Sequence, residues 1–150
     1  MERRLGAVVD GREDPRGLHF FCQIGGYNHD YGMTTLQVSG TGLVLLGWKD
    51  GEDRTLFSVQ LADDSHQRFY AMLQEHPFWH ITPVRRTRQQ DEMNVHLRLT
   101  DQGQATWSGL QFWHTDLDEF SALRELMLRL NRLIEAIAGD DIPRFDWAAL

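Results

Sequence analysis

Residues 33–61, MTTLQVSGTGLVLLGWKDGEDRTLFSVQL, decide the fold class of this chain. They contain three runs rich in apolar and β-branched residues, separated only by short Gly-containing links; the runs are 33–39, 42–49 and 54–61. The dipeptide Asp50-Gly51 favours a tight hairpin turn, because both residue types tolerate positive φ. Strands joined by such short links pair antiparallel, so this stretch predicts a β-meander.

The pattern on either side of the meander completes one architecture. Residues 18–24 add a strand before it, and residues 63–75 show the i, i+3, i+4 apolar spacing of a helix that Pro77 ends. Residues 93–100 then alternate apolar and polar side chains, and residues 104–113 follow after a Gly-containing turn.

A long amphipathic helix is predicted from about Asp116 to Ala138, with Thr115 and Asp118 as a variant capping box and Gly139 as its C-cap. The order ββββ-α-ββ-α therefore predicts an α+β fold. It has two layers, an antiparallel sheet of about six strands and both helices packed on one face.

Three segments divide the chain. We assign residues 1–16, which are charged and carry Gly and Pro, to a mobile leader. Residues 17–138 form a single α+β domain, and residues 139–150 are a C-terminal tail too short for a domain.

One face of the sheet is expected to be a mixture of polar and large apolar groups. The residues expected to face the helices are Phe20, Cys22, Ile24, Phe57, Val59 and Leu61. The opposite face would then carry Phe21, Val44, Leu46, Trp48 and Leu56. Such a face either binds protein or self-associates, or it is covered by the leader or by Phe145 and Trp147 of the tail.

Composition narrows the function classes. The formal net charge of −7 argues against nucleic acid as a partner and favours a protein partner with a basic surface. No run approaches the roughly 18 apolar residues of a membrane span, and the start lacks a secretory signal, so we expect a cytoplasmic protein without membrane association. The single cysteine, Cys22, excludes an intramolecular disulfide and lies in an apolar run typical of a core.

The loop GGYNHDYG, residues 25–32, places a His beside an Asp, with two Tyr and three Gly, between two predicted strands. His29 and Asp30 are adjacent, and neighbours on a turn rarely point at each other as a catalytic pair must. We interpret the loop as a structural or partner-facing hairpin loop; in the second case its Tyr side chains offer a large contact area with few torsions to freeze. Its recognition residues are Tyr27, Asn28, His29, Asp30 and Tyr31.

Motifs for metals, cofactors and catalysis do not emerge from the sequence. His76 and His80 have the i, i+4 spacing of a helical zinc pair, but Pro77 between them breaks that geometry. The only basic cluster, Arg85, Arg86 and Arg88, is either a solvated loop or a site for an anion or an acidic partner. We predict no cofactor, no metal and no catalytic residue.

A pattern over residues 18–138 resembles bacterial immunity proteins that neutralise co-encoded toxins. It consists of GGY after the first strand, the spaced series QIGGY…L.V.G.G.V.L and a helix ending in HPFW, which also look like small protein inhibitors of similar layout. The resemblance implies a stoichiometric inhibitor that plugs an active site or blocks entry of a cofactor.

The first hypothesis is therefore an immunity or inhibitor protein for a bacterial toxin or secreted effector. Its acidic loops, with Asp50 and Asp53, would steer the chain toward a basic partner. Aromatic side chains would fill pockets of that partner; they are Tyr27, Tyr31, Trp48 and Trp113. Two alternatives are a small enzyme centred on His29 and Asp30 or on His96 and Arg98, and a secretion chaperone or adaptor that forms a homodimer through the sheet face.

Overall fold

A computed structural model describes residues 1–26, 32–82 and 85–142 of the chain. The helices are α1 (Glu2–Val9), α2 (Asp63–Glu75) and α3 (Ser121–Ala138). The strands are β1 (Leu18–Gly25), β2 (Met33–Ser39), β3 (Leu43–Asp50), β4 (Asp53–Gln60), β5 (Asn94–Asp101) and β6 (Thr106–Trp113). Short 3-10 helices occupy Pro15–Gly17, Phe78–His80 and His114–Asp118.

The six strands form one open antiparallel sheet in the order β4-β3-β2-β1-β5-β6, and the helices lie on one side of it. This confirms the predicted α+β fold. The meander β1 to β4 supplies four of the six strands, and β5 joins it by pairing with β1, so that Phe20 lies opposite Leu99. The core lies between the sheet and the helices.

The first 16 residues, expected to form a mobile leader, instead contribute to the core. Their segment 2–9 forms α1, which packs against α2 and buries Leu5, Ala7 and Val8. The Arg4 guanidinium ties α1 to the sheet, because its Nε donates to Asp101 Oδ2 at 3.1 Å. The segment predicted as a leader therefore packs on the helix side of the sheet, where Leu5 and Val8 join the core.

The predicted assignment of β3 residues to the two faces of the sheet was wrong. Asp50 pairs with Asp53 across a two-residue turn, and this register places Val44 opposite Val59 and Leu46 opposite Phe57. Opposite residues share a face, so Val44 and Leu46 point into the core, where both are fully buried. Trp48 belongs to the same face.

The side of the sheet turned away from the helices is called the outer face below. Its strand positions are the odd-numbered residues of β1, β2, β3 and β6 and the even-numbered residues of β4 and β5. Phe21 and Leu56 belong to it, as expected.

Helix α3 starts later than the capping residues suggested. The segment predicted as its first turn is the 3-10 helix His114–Asp118, and the α-helix begins at Ser121. Asp116 does accept a hydrogen bond at the start of this segment, from the Trp113 backbone N–H at 3.0 Å. The helix ends at Ala138, before Gly139, as predicted.

After α3, Ile142 is buried in the core, while Phe145 and Trp147 of the predicted tail lie outside the described residues. Among the helices of the described ranges, none has both the length and the apolar character needed to cross a membrane.

Candidate functional site

One end of the sheet gathers the residues predicted to bind a partner. Here β1 and β3 end and β2 and β4 begin, and β6 ends where β5 begins. We call it the loop end. Tyr27, Asn28, His29, Asp30 and Tyr31 belong to the link between β1 and β2, but they lie outside the described residues.

The described stems of this link fix where it leaves the sheet. The Gly26 N–H donates to the Gly32 carbonyl oxygen at 2.9 Å and closes the link. Gly32 has φ of +67° and lies so close to β3 that a Cβ would overlap the carbonyl oxygen of Lys49. Only glycine fits this approach, which brings the link beside the β3–β4 hairpin.

The β3–β4 hairpin presents three carboxylates at the loop end. Asp50, Glu52 and Asp53 are exposed, and Gly51 takes the positive φ of +54° that the tight turn requires. Within the described ranges none of the three carboxylates forms an ion pair. The predicted site residues Asp50 and Asp53 are therefore placed together, facing solvent.

The two predicted tryptophan anchors are far apart. Trp48 is half-buried and packs against the core from β3, so only part of its ring is available to a partner. Trp113 is also half-buried, but it lies on the outer face of β6. Four interstrand spacings separate β3 from β6, which corresponds to about 19 Å.

A buried ion-pair network at the same end was not predicted. Glu92 is 2% exposed and accepts hydrogen bonds from both terminal nitrogens of Arg86, at 2.5 and 2.8 Å. The Thr115 hydroxyl also donates to Glu92, and Arg86 Nη2 donates to Asp116 Oδ1 at 2.8 Å. The Gln89 N–H completes the shell of Glu92 at 2.5 Å.

This network fixes the charge state of its members. Hydrogen bonding from Arg86 outweighs the effect of burial and lowers the pKa of Glu92 to about 2. The same bonds raise the pKa of Arg86 above its usual value. The central arginine of the predicted basic cluster is thus a structural ion pair, whereas Arg85 is exposed beside it.

A cleft of about 480 Å³ opens beside β6 next to this network. Ile81, Arg85, Arg86 and Trp113 line it, together with residues 109–112 of β6. The charge of Arg86 is already paired, so among the described residues that line the cleft Arg85 is the cation available to an anion.

One of the two histidine pairs considered for an enzyme lies within the described residues. His96 and Arg98 lie on the outer face, and burial together with Arg98 lowers the pKa of His96. A general base needs a group that orients it, and no strand position of the described outer face carries a carboxylate. The other candidate pair, His29 and Asp30, lies outside the described residues.

The described part of the chain contains no group of three or more His, Cys, Asp or Glu side chains that could hold a metal ion. His80 lies 3.6 Å from the Glu2 carboxylate, while His76 follows the last residue of α2. Cys22 is buried as expected, and burial raises the pKa of its thiol to about 12. A thiol in this state is a poor nucleophile.

Comparison with protein-family models finds none that matches this chain, and comparison with curated proteins finds no significant match.

Proposed function

We propose that this chain is a non-catalytic protein-binding module, and that it acts as an immunity or inhibitor protein which neutralises a bacterial toxin or secreted effector by direct contact. One observation carries the proposal. The exposed carboxylates of Asp50, Glu52 and Asp53 form no ion pair with any described residue, and Gly32, the end of the link that carries the predicted recognition residues, lies against this hairpin.

Charge supports a basic partner at this end. The chain has a formal net charge of −7, and exposed carboxylates raise the rate at which a basic surface finds its docking position. Such steering acts over about 10 Å at 0.1 M salt, so it operates during approach and weakens as salt is added.

The tryptophans limit where a partner can dock. Trp48 lies on the core side of β3 and Trp113 on the outer face of β6, about 19 Å apart along the sheet, so a partner reaches both only if it docks across the loop end. Both rings are half-buried and therefore already ordered, so contact with them freezes few additional torsions.

The steering prediction compares two double variants with the same change in net charge. Asp50→Asn with Asp53→Asn removes two carboxylates at the loop end. Asp63→Asn with Asp64→Asn removes two exposed carboxylates from the first turn of α2, at the opposite end of the sheet. We expect the first pair to slow association about 3- to 10-fold at low salt and the second pair to change it less than about 1.5-fold.

The partner for this measurement is identified by affinity capture from native lysate and mass spectrometry, and its activity is then assayed with and without the chain. Association rates are followed by stopped flow at two salt concentrations. Equal slowing by both double variants would contradict steering by the hairpin. Full activity of the partner in the saturated complex would contradict an inhibitory role.

A second candidate is a homodimeric secretion chaperone or adaptor that associates through the sheet. The exposure of Leu56 and Trp107, 75% and 64%, on the outer face favours it. Light scattering would then give twice the monomer mass of 17.4 kDa, and serine at both positions would restore the monomer. A monomer at about 100 μM would contradict this candidate, because specific interfaces of ordinary size hold at far lower concentration.

A further inference from the structure

The outer face carries no carboxylate on any of its strand positions, although 22 of the chain's 150 residues are Asp or Glu. The charged residues that it does carry are Lys49, Arg54 and Arg98, all cationic. The acidic side chains of the described elements belong to the helices, the turns and the core side. The outer face is thus neutral to basic in an acidic protein.

Arg98 on β5 lies apart from Lys49 and Arg54, which pair with each other on β3 and β4. It lies on β5 between Phe21 of β1 and Gly109 of β6, with which it pairs directly. Its side chain is exposed and forms no ion pair within the described ranges. An arginine surrounded by a carboxylate-free surface keeps all five of its N–H donors for a ligand.

Trp107 holds the Arg98 guanidinium in place by stacking against it. The guanidinium carbon lies 5.4 Å from the centroid of the Trp107 ring, in the geometry of a cation–π contact. Gly109 makes room for the ring, because a Cβ there would lie 3.1 Å from Trp107 Cζ3. The stacked pair is therefore preorganised, while 64% of Trp107 stays exposed.

A shallow cleft of about 330 Å³ extends from Arg98 along β1 and β5. His19, His96, Thr100 and Gln102 line it with further hydrogen-bonding groups. The His96 ring is held edge-to-face against Phe21, with the ring centroids 5.8 Å apart. The cleft thus combines the Arg98 guanidinium, polar side chains that can donate hydrogen bonds and the ring of Phe21. Trp107 adjoins the cleft through its contact with Arg98.

We propose that this cleft is a second binding site, which takes an acidic segment of a partner protein. A Glu or Asp carboxylate of the segment pairs with Arg98, and a neighbouring apolar side chain covers the exposed part of Trp107. Carboxylate is the group that matches the planar fork of arginine, and the missing carboxylates of the face remove competitors and repulsion. The charge preference is opposite to that of the loop end, so the site is independent of the proposed function.

Charge complementarity makes a second copy of the chain and a nucleic acid less favourable occupants of this face than an acidic segment. A second copy of the chain, docked face to face, would bring like charges of Lys49, Arg54 and Arg98 together. A single-stranded nucleic acid could stack on Trp107, but its phosphates would pass from this face to an acidic surround in a chain of net charge −7.

The test titrates ¹⁵N-labelled protein with the peptide acetyl-Glu-Glu-Phe-Glu-Glu-Leu-amide and follows its NMR spectrum. The control peptide has Gln in place of every Glu. We expect the acidic peptide to shift the Arg98 Nε and Trp107 indole signals, and the Gln peptide to bind at least about tenfold more weakly, because charge-assisted bonds are about twice as strong as neutral ones.

Two variants distinguish binding at Arg98 from a nonspecific effect of net charge on peptide affinity. Arg98→Gln is expected to lower the affinity for the acidic peptide at least about fivefold, because it removes the guanidinium and leaves the polar surroundings in place. Arg132→Gln removes the same charge from an exposed position on α3 and should leave the affinity unchanged. Both variants should keep the wild-type amide spectrum elsewhere.

Several results would overturn the proposal. They are equal weakening in both variants, shifts confined to the β3–β4 hairpin, and no shift of Arg98 or Trp107 at millimolar peptide. Tighter binding of a ten-residue oligouridine at the same signals would assign the face to nucleic acid instead. Loss of those signals with a dimeric mass in light scattering would assign it to a second copy of the chain.

Discussion

Replacing Phe20 by alanine should lower the free energy of unfolding by about 4 kcal/mol, whereas the same replacement at Phe21 should lower it by about 1 kcal/mol or less. Phe20 is fully buried, and its ring meets those of Phe69 and Phe78 at centroid distances of 5.3 and 6.3 Å. Truncation there leaves a cavity between β1, α2 and the 3-10 helix that follows. Phe21 faces outward and loses mainly its contact with His96.

The two variants are matched because they change adjacent residues of one type on one strand. Urea unfolding followed by far-ultraviolet circular dichroism gives both free energies. The difference between them reports which side of β1 faces the core. Comparable losses for Phe20→Ala and Phe21→Ala would show that the outer face is covered in solution, which would also contradict the open cleft around Arg98.

Replacing Glu92 by glutamine should lower the free energy of unfolding at pH 7 by about 2 kcal/mol, the scale of a hydrogen bond to a charged group. The variant keeps the shape of the side chain but removes the charge that Arg86 and Thr115 contact. Glu119→Gln, an exposed carboxylate that follows the 3-10 helix at the same end, is the matched control and should change stability by less than about 0.5 kcal/mol.

The effect of Glu92→Gln should depend on pH. The pKa of Glu92 is about 2 in the folded protein, below its ordinary value of 4.5, so its charged form stabilises the fold. That contribution is complete above pH 4.5 and is lost as the pH falls toward 2. Wild type and variant should therefore converge in stability over this range, as urea unfolding at several pH values would show. A constant difference would mean that packing, not charge, explains the loss.

The architecture was predictable because each strand and helix has its own local pattern. Alternation, tight turns and the 3.6-residue period all act within a few residues, and they gave the six strands, α2 and the end of α3. Helix α1 was missed because Gly6 and three charged residues obscure a short apolar stripe. That stripe, Met1, Leu5 and Val8, has helical i, i+4, i+7 spacing and was visible in the sequence.

The faces of β3 and β4 could also have been derived. A two-residue turn at the predicted hairpin forces Val44 onto the same face as Val59, whichever two residues form it. The buried network, by contrast, could not have been derived from the sequence. Its charged members are Arg86, Glu92 and Asp116, which lie outside the strands and long helices, and only the pairing of β5 with β6 brings their segments together. No local pattern carries that information.

The pairing of β1 with β5 also governs how the chain can reach its native state. Every other neighbouring pair in the sheet is also adjacent along the chain, so β1 to β4 and β5 to β6 are two units that need only local loop closure. Joining them closes a loop that contains β2, β3, β4 and α2, and this is the slow, entropically costly step. Until it is complete, both β1 and β5 present an open backbone edge to solvent. The pairing of β1 with β5 is therefore the step that limits the folding rate. It is also the step before which the chain is most prone to pair wrongly with other chains.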